Sequence, residues 1–122
     1  MRAGSSKGER MHHLSMSIAD LCTQYPIDIM AVEKPNSRHH STLRVLASYA
    51  SAAAMVAHIH EIEYQEIVRG EAYKLVVGKG NAPKSEGVLY GRRYKPLLNN
   101  DDEGDSIVIA MAAHMRGLKV AA

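Results

Sequence analysis

The sequence predicts an α/β fold, and three observations carry that prediction. Two short β-leaning segments, "IDIMAVE" and "EIEYQEIV", flank a long Ala-rich stretch of helical periodicity, "STLRVLASYASAAAMVAH". A single helical crossover between two strands implies parallel pairing. The remaining segments have helical spacing, and a chain of 122 residues supports one domain.

Taken in order, residues 1–8 are rich in Gly, Ser and Lys and are expected to form a disordered tail, leaving 9–122 as the domain. Met11, Leu14, Ile18, Leu21 and Cys22 recur at helical spacing, which predicts a helix from about Arg10 to Tyr25 stopped by Pro26. "IDIMAVE" then reads as a strand ending at Glu33, followed by the loop "KPNSRHH". Ser41 is the expected cap of a helix running to about His58. Leu43, Leu46, Ala50, Ala53, Ala54 and Ala57 share one side of it, a face small enough for another backbone to approach closely. In the second strand Ile62, Tyr64 and Glu66 alternate against Glu61, Glu63 and Gln65, and Gly70 is expected to break it. "EAYKLVVG" predicts a short helix, "GKGNAPKS" a basic loop, and Pro83 the first turn of a helix through about Tyr94. The last helix opens at "DDEGDS" and runs to about Lys119. Two strands alone make a poor core for a parallel sheet, so further strands or a partner's surface are expected to complete it.

Composition narrows the class. A hydrophobic content of 46% argues against disorder, and with six Tyr but no Phe or Trp the core must rest on aliphatic residues and the seven Met. The net charge of +2 neither demands nor excludes a nucleic-acid partner. A lone cysteine, Cys22, excludes an intramolecular disulfide framework and a Cys-rich zinc site and suits a reducing compartment. No apolar run approaches the roughly 20 residues of a membrane span, and "MRAGSSKGERMHHLSMS" has no signal-peptide core. A cytoplasmic protein without membrane contact is the expectation.

Three carboxylates carry the candidate chemistry. Glu33 closes the first strand, where α/β sheets place catalytic groups; alternatively it is a solvated strand-end residue. Asp102 and Asp105 lie three residues apart and share a helix face, as metal ligands or as partners of the helix N-terminus. An all-oxygen donor set selects hard cations, Mg²⁺ or Mn²⁺, and such clusters commonly hold two metals about 4 Å apart for phosphoryl displacement. Lys79, Lys84, Arg92, Arg93 and Lys95 could then handle phosphates, or simply form a solvated surface. Binding of some other phosphorylated ligand by "GKGNAPKS" is disfavoured, because the loop follows a helix and lacks a "GK(S/T)" ending.

"VEKP" at a strand end, "YKLVVGKGNAPKSEGV" in the middle and "DDEGDSIVIAMAAHMRG" at the end together resemble the RuvC family of Holliday junction resolvases. That resemblance implies an RNase H-like fold, with an N-terminally incomplete mixed sheet flanked by helices. It also implies Mg²⁺-dependent nicking of four-way DNA junctions by a bacterial or phage enzyme, and a homodimer packed through helix 41–58. It assigns Glu33, Asp102 and Asp105 as metal-binding catalytic residues and Lys84 as a catalytic lysine near the scissile phosphate. Lys79, Lys84, Arg92, Arg93 and Lys74 become the DNA-binding set, Lys74 standing beside a family lysine position that Tyr73 fills. The family's first strand, with its catalytic Asp in "G-(I/L)-D-x-G", has no counterpart: Asp20 falls in the first helix and Asp28 precedes the Glu33 strand. The chain is therefore expected to begin after that meander and to bind junctions while cutting them weakly or not at all. The alternative is a non-catalytic DNA-binding or dimerisation remnant.

Overall fold

The structure, a computed structural model, describes residues 6–121, with side chains through Gly117. Seven elements follow in order: α1 (Lys7–Gln24), β1 (Ile29–Glu33), α2 (His40–Ile59), β2 (Glu63–Ile67), α3 (Arg69–Val76), α4 (Lys84–Gly91) and α5 (Asp101–Ala121). They divide into two compact units. One comprises the chain up to Met30 with Pro35–Tyr64; the other comprises Ala31–Lys34 and everything from Gln65 onward.

The first unit packs α1 against α2. The Ser6 hydroxyl accepts a 3.1 Å hydrogen bond from the Glu9 N–H, so α1 starts at Lys7 and takes up two residues of the expected tail. Residues 1–5 of that tail lie outside the described residues. The chain enters α2 at His39 rather than at Ser41, which falls inside the first turn, and the Ser37 hydroxyl accepts from the His39 N–H at 3.1 Å. Ala50, Ala53 and Ala57 retain only 4%, 4% and 0% of their surface. The Ala50, Ala53 and Ala57 part of the small face of α2 is thus covered within the chain, while Leu43 and Ala54 are half-buried and Leu46 is exposed. The apolar side chains that α2 leaves exposed are Val45, Leu46, Met55 and Ile59. By length and composition alone α2, 20 residues with a mean hydropathy of 1.2, is long and apolar enough to cross a membrane, a property that core helices of soluble proteins share. Its Ala and Val content raises the average, although its longest unbroken apolar run is the six residues 52–57.

The second unit holds the C-terminal ends of both strands. The Lys34 N–H donates to the Ile67 carbonyl at 2.8 Å, which sets these ends side by side and makes the pair parallel. The mixed sheet implied by the family resemblance has no antiparallel member among the described residues. Gly70 does not break β2, which ends at Ile67, but sits in the first turn of α3. Gly78, at φ 101°, ends α3 in the left-handed region, its N–H donating to the Tyr73 carbonyl at 2.9 Å. Helix α4 ends at Gly91, earlier than expected, and residues 92–94 continue as a turn.

Helix α5 packs on both α3 and α4. Ile67, Tyr73, Leu98 and Val108 are the largest fully buried side chains of this unit. Contact between α4 and α5 depends on missing side chains: a Cβ on Gly104 would lie 2.9 Å from both the Gly87 carbonyl carbon and the Val88 nitrogen. Neither backbone atom can rotate away, so Gly104→Ala must part the helices. We expect a loss of about 1–3 kcal/mol in urea unfolding. Gly117→Ala, with nothing within 4 Å of the new methyl group, should be neutral or slightly stabilising. Equal stabilities for the two variants would disprove the close helix contact.

Candidate active site

The acidic start of α5 is capped by a neutral residue. The Asn100 side-chain oxygen accepts hydrogen bonds from the Asp102 N–H at 2.8 Å and the Glu103 N–H at 3.1 Å. This leaves the carboxylates available for other work. Asp101 and Asp102 are exposed, and Glu103 pairs with Lys95 at 2.8 Å. Asp105, one turn further in, is buried.

Both oxygens of Asp105 have partners from α3. The Tyr73 hydroxyl donates to Oδ1, while Arg69 Nε lies 3.6 Å from Oδ2. The guanidinium of Arg69 also stacks 4.1 Å from the centre of the Tyr73 ring and donates through Nη2 to the Ala82 carbonyl at 3.5 Å. Burial is the main reason the Tyr73 hydroxyl is pushed well above the usual tyrosine range, followed by its hydrogen bond to Asp105. Tyr73 is therefore a proton donor at any physiological pH.

Glu33 brings β1 to the same place. Its residue surface is exposed, yet crowding of its carboxyl group is the largest cause of a raised pKa, followed by the negative charge of Asp105. Arg69 and Lys84 oppose the rise, and Asp102 adds weakly to it. Glu33, Asp102, Asp105 and Lys84, drawn from β1, α5 and the first residue of α4, thus act on one electrostatic environment.

The other expected basic residues are dispersed. Lys74 and Lys79 are exposed on α3 and in the loop after it. Arg92 braces the turn after α4, its Nε donating to the Leu98 carbonyl at 2.8 Å. Arg93 lies 4.8 Å over the Tyr90 ring, and Tyr90 shares a 3.3 Å hydrogen bond with Tyr94. Burial, followed by that bond, pushes the Tyr90 hydroxyl up to about 12. Sequence reasoning missed Arg69, and it noticed Tyr73 without giving it a role. Nothing in "IVRGEAY" marks either residue as a partner of an aspartate 32 or more positions away.

Whether these residues suit a divalent metal has two answers. The donor chemistry fits: three carboxylates, with Glu33 destabilised as an anion first by burial and then by Asp105, favour a hard cation. The spacing is not closed around one, because among the described residues no three His, Cys, Asp or Glu side chains gather closely enough. Asp105 is turned to Tyr73 and Arg69 instead.

Over 92% of its length the chain superposes on the RuvC structure from Thermus thermophilus with a TM-score of 0.78, at 16% identity and over 70% of that chain. The fold is RuvC-like. In sequence, it is 27% identical over 110 residues to the crossover junction endodeoxyribonuclease RuvC of Alkaliphilus metalliredigens, covering 84% of this chain. The chain spans 65% of the length of that curated relative, just under two thirds. No family model matches it.

The electrostatics of Glu33 give a test. Its folded pKa lies above the ordinary 4.5, so ionising it costs folding stability. That cost is absent below the ordinary value and grows as pH rises through the folded one. Glu33→Gln should therefore melt slightly higher than the parent at neutral pH, with the advantage vanishing below about pH 4. Exposure keeps the gain small. An advantage independent of pH would mean the carboxylate is not perturbed.

Proposed function

We propose that this RuvC-like chain is a structure-specific DNA endonuclease acting on four-way junctions. The reading is supported by Glu33 at the C-terminal end of β1, where α/β folds do their chemistry, feeling the charges of Asp105, Lys84 and Asp102. Support comes from the likeness to a protein named crossover junction endodeoxyribonuclease. Glu33, Asp102 and Asp105 are the residues that would hold Mg²⁺ or Mn²⁺, whose chemistry when bound is to stabilise charge on the attacking and leaving oxygens of a phosphodiester. Lys84, exposed at the start of α4, would orient the scissile phosphate beside Glu33. Lys74, Lys79 and Arg93 would meet the backbone of the DNA further out. The setting is cytoplasmic, in a bacterium or its phage.

A labelled four-way junction tests this in two steps. Binding should exceed that of linear duplex of the same sequence by tenfold or more, weaken with salt, and fall on Lys84→Ala. Equal affinity for duplex and junction would remove the junction specificity. With Mn²⁺ present, paired nicks on opposing strands should appear on a denaturing gel and disappear with Asp102→Asn. Because Asp105 is engaged by α3, cutting is expected to be slow relative to binding. Tight junction binding with no nicks at any Mn²⁺ concentration would favour a non-catalytic DNA-binding protein.

Paired cuts need two active sites, so the reading includes a homodimer. Helix α2 is its interface, through the outward side that carries Ala47, Ser51 and Met55 rather than through the buried Ala50, Ala53 and Ala57. Met55→Lys should convert dimer to monomer in light scattering. A dimer unchanged by Met55→Lys would place the interface elsewhere.

A further inference from the structure

Positive charge also gathers in the first unit, outside the DNA-binding residues named above. A cleft of about 80 Å³ between α1 and α2 is lined by Lys7, Arg10 and Arg44, with Ser48 and Tyr49 beside them. Lys7 and Arg44 are exposed and Arg10 is half-buried. No carboxylate lines the cleft, although Glu9 stands in the same turn of α1 as Lys7. Among the described residues neither Lys7 nor Arg44 has an ion-pair partner. The two helix starts add to the positive potential. Lys7 is the first residue of α1, and α2 begins with neither a side-chain cap nor an acidic residue in its first turn. Like charges so placed favour an anion from outside the chain.

Size and chemistry identify that anion. Small-molecule pockets begin at roughly 300 Å³, so this cleft admits one small group whose remainder lies outside. A phosphodiester in a nucleic-acid backbone is such a group. Arg and Lys side chains, Ser and Tyr hydroxyls and helix starts are the donors that proteins present to DNA phosphates. Met11 and Val45, the latter 42% exposed, offer the adjoining sugar an apolar surface. On the reading that the chain binds DNA, we propose that this cleft holds a backbone phosphate between Lys7 and Arg44. The chain then grips DNA with both units, since Glu33 belongs to the other one. A phosphate carries no base information, so the contact contributes affinity and orientation but not the choice of junction.

Fluorescence anisotropy with a labelled four-way junction and a linear duplex tests this on the parent, Lys7→Gln, Arg44→Gln and Arg116→Gln. Arg116→Gln is the control: it removes the same charge from the second unit, where Arg116 pairs with Glu71 at 3.0 Å. Lys7→Gln and Arg44→Gln should each weaken junction and duplex by the same factor, about threefold at low salt. Each should also lower the slope of log affinity against log salt by about one. Arg116→Gln should leave the slope unchanged. Parental slopes in both cleft variants would overturn the proposal, and weakened binding by Lys84→Ala would still uphold the junction reading. No binding of either DNA by the parent would overturn both. Circular dichroism checks folding; should Arg44→Gln unfold, Lys7→Gln, at an exposed helix end, decides alone. Free phosphate is the other source of the same anion, and NMR separates the two. The Arg44 Nε–H signal should shift with a short duplex and stay in place with millimolar inorganic phosphate. A shift with phosphate, and none with duplex, would make the cleft a small-anion site and overturn the DNA contact. A fall to monomer in light scattering on Arg44→Gln, with DNA affinity unchanged, would overturn it in favour of a protein interface.

Discussion

The second unit is organised around one buried carboxylate. Asp105 sits on a helix whose neighbouring positions, Val108, Ile109, Ala112 and Ala113, are all aliphatic and buried. An aspartate in such surroundings must be compensated by the chain that encloses it. Compensation comes from a single short helix, which supplies the Tyr73 hydroxyl and the Arg69 guanidinium four residues apart on one face. That requirement fixes how α3 lies on α5. The Arg69 contact with the Ala82 carbonyl then ties in the loop between α3 and α4.

The other side of α5 is set by sterics instead of charge. Gly104 on α5 brings its backbone against Gly87 and Val88 of α4, Gly91 leaves room for Leu98 and Ile107, and Gly87 leaves room for the Tyr73 ring. Gly104 immediately precedes Asp105, so the closest backbone contact and the central charge occupy adjacent residues. Packing at one determines the direction of the other. Lys84 starts α4 and Glu33 ends β1, and Glu33 feels the charges of both Lys84 and Asp105 through this arrangement. Burial and then the charge of Asp105 raise the pKa of Glu33, against the opposing pull of Arg69 and Lys84.

The balance of charge around Asp105 is met within the chain. Neighbouring carboxylates repel one another, and the Arg69 guanidinium opposes part of that repulsion at Glu33. Tyr73, held protonated by burial, donates to Asp105 and keeps it oriented.

Several features of this protein are determined by the sequence itself, because they depend on local periodicity and chain chemistry. The α/β order, the five helices and two strands, the placement of Glu33 at a strand end, and the three-residue spacing of Asp102 and Asp105 follow from patterns within a few residues. Element ends slipped where a side chain one or two residues away took over a role. Ser6 capped α1, Asn100 capped α5, and Gly70 entered a helix that Val68 introduces. The function of the small α2 face was legible only as a capacity for close approach; the fold used it internally, at Ala50, Ala53 and Ala57. What only the tertiary structure decided was the pairing of residues far apart in the chain. Arg69 and Tyr73 meet Asp105 across more than thirty positions, at 3.6 Å in the case of Arg69. No local pattern encodes such a meeting, because the energy that drives it, neutralising a buried charge, exists only once the helices have enclosed that charge.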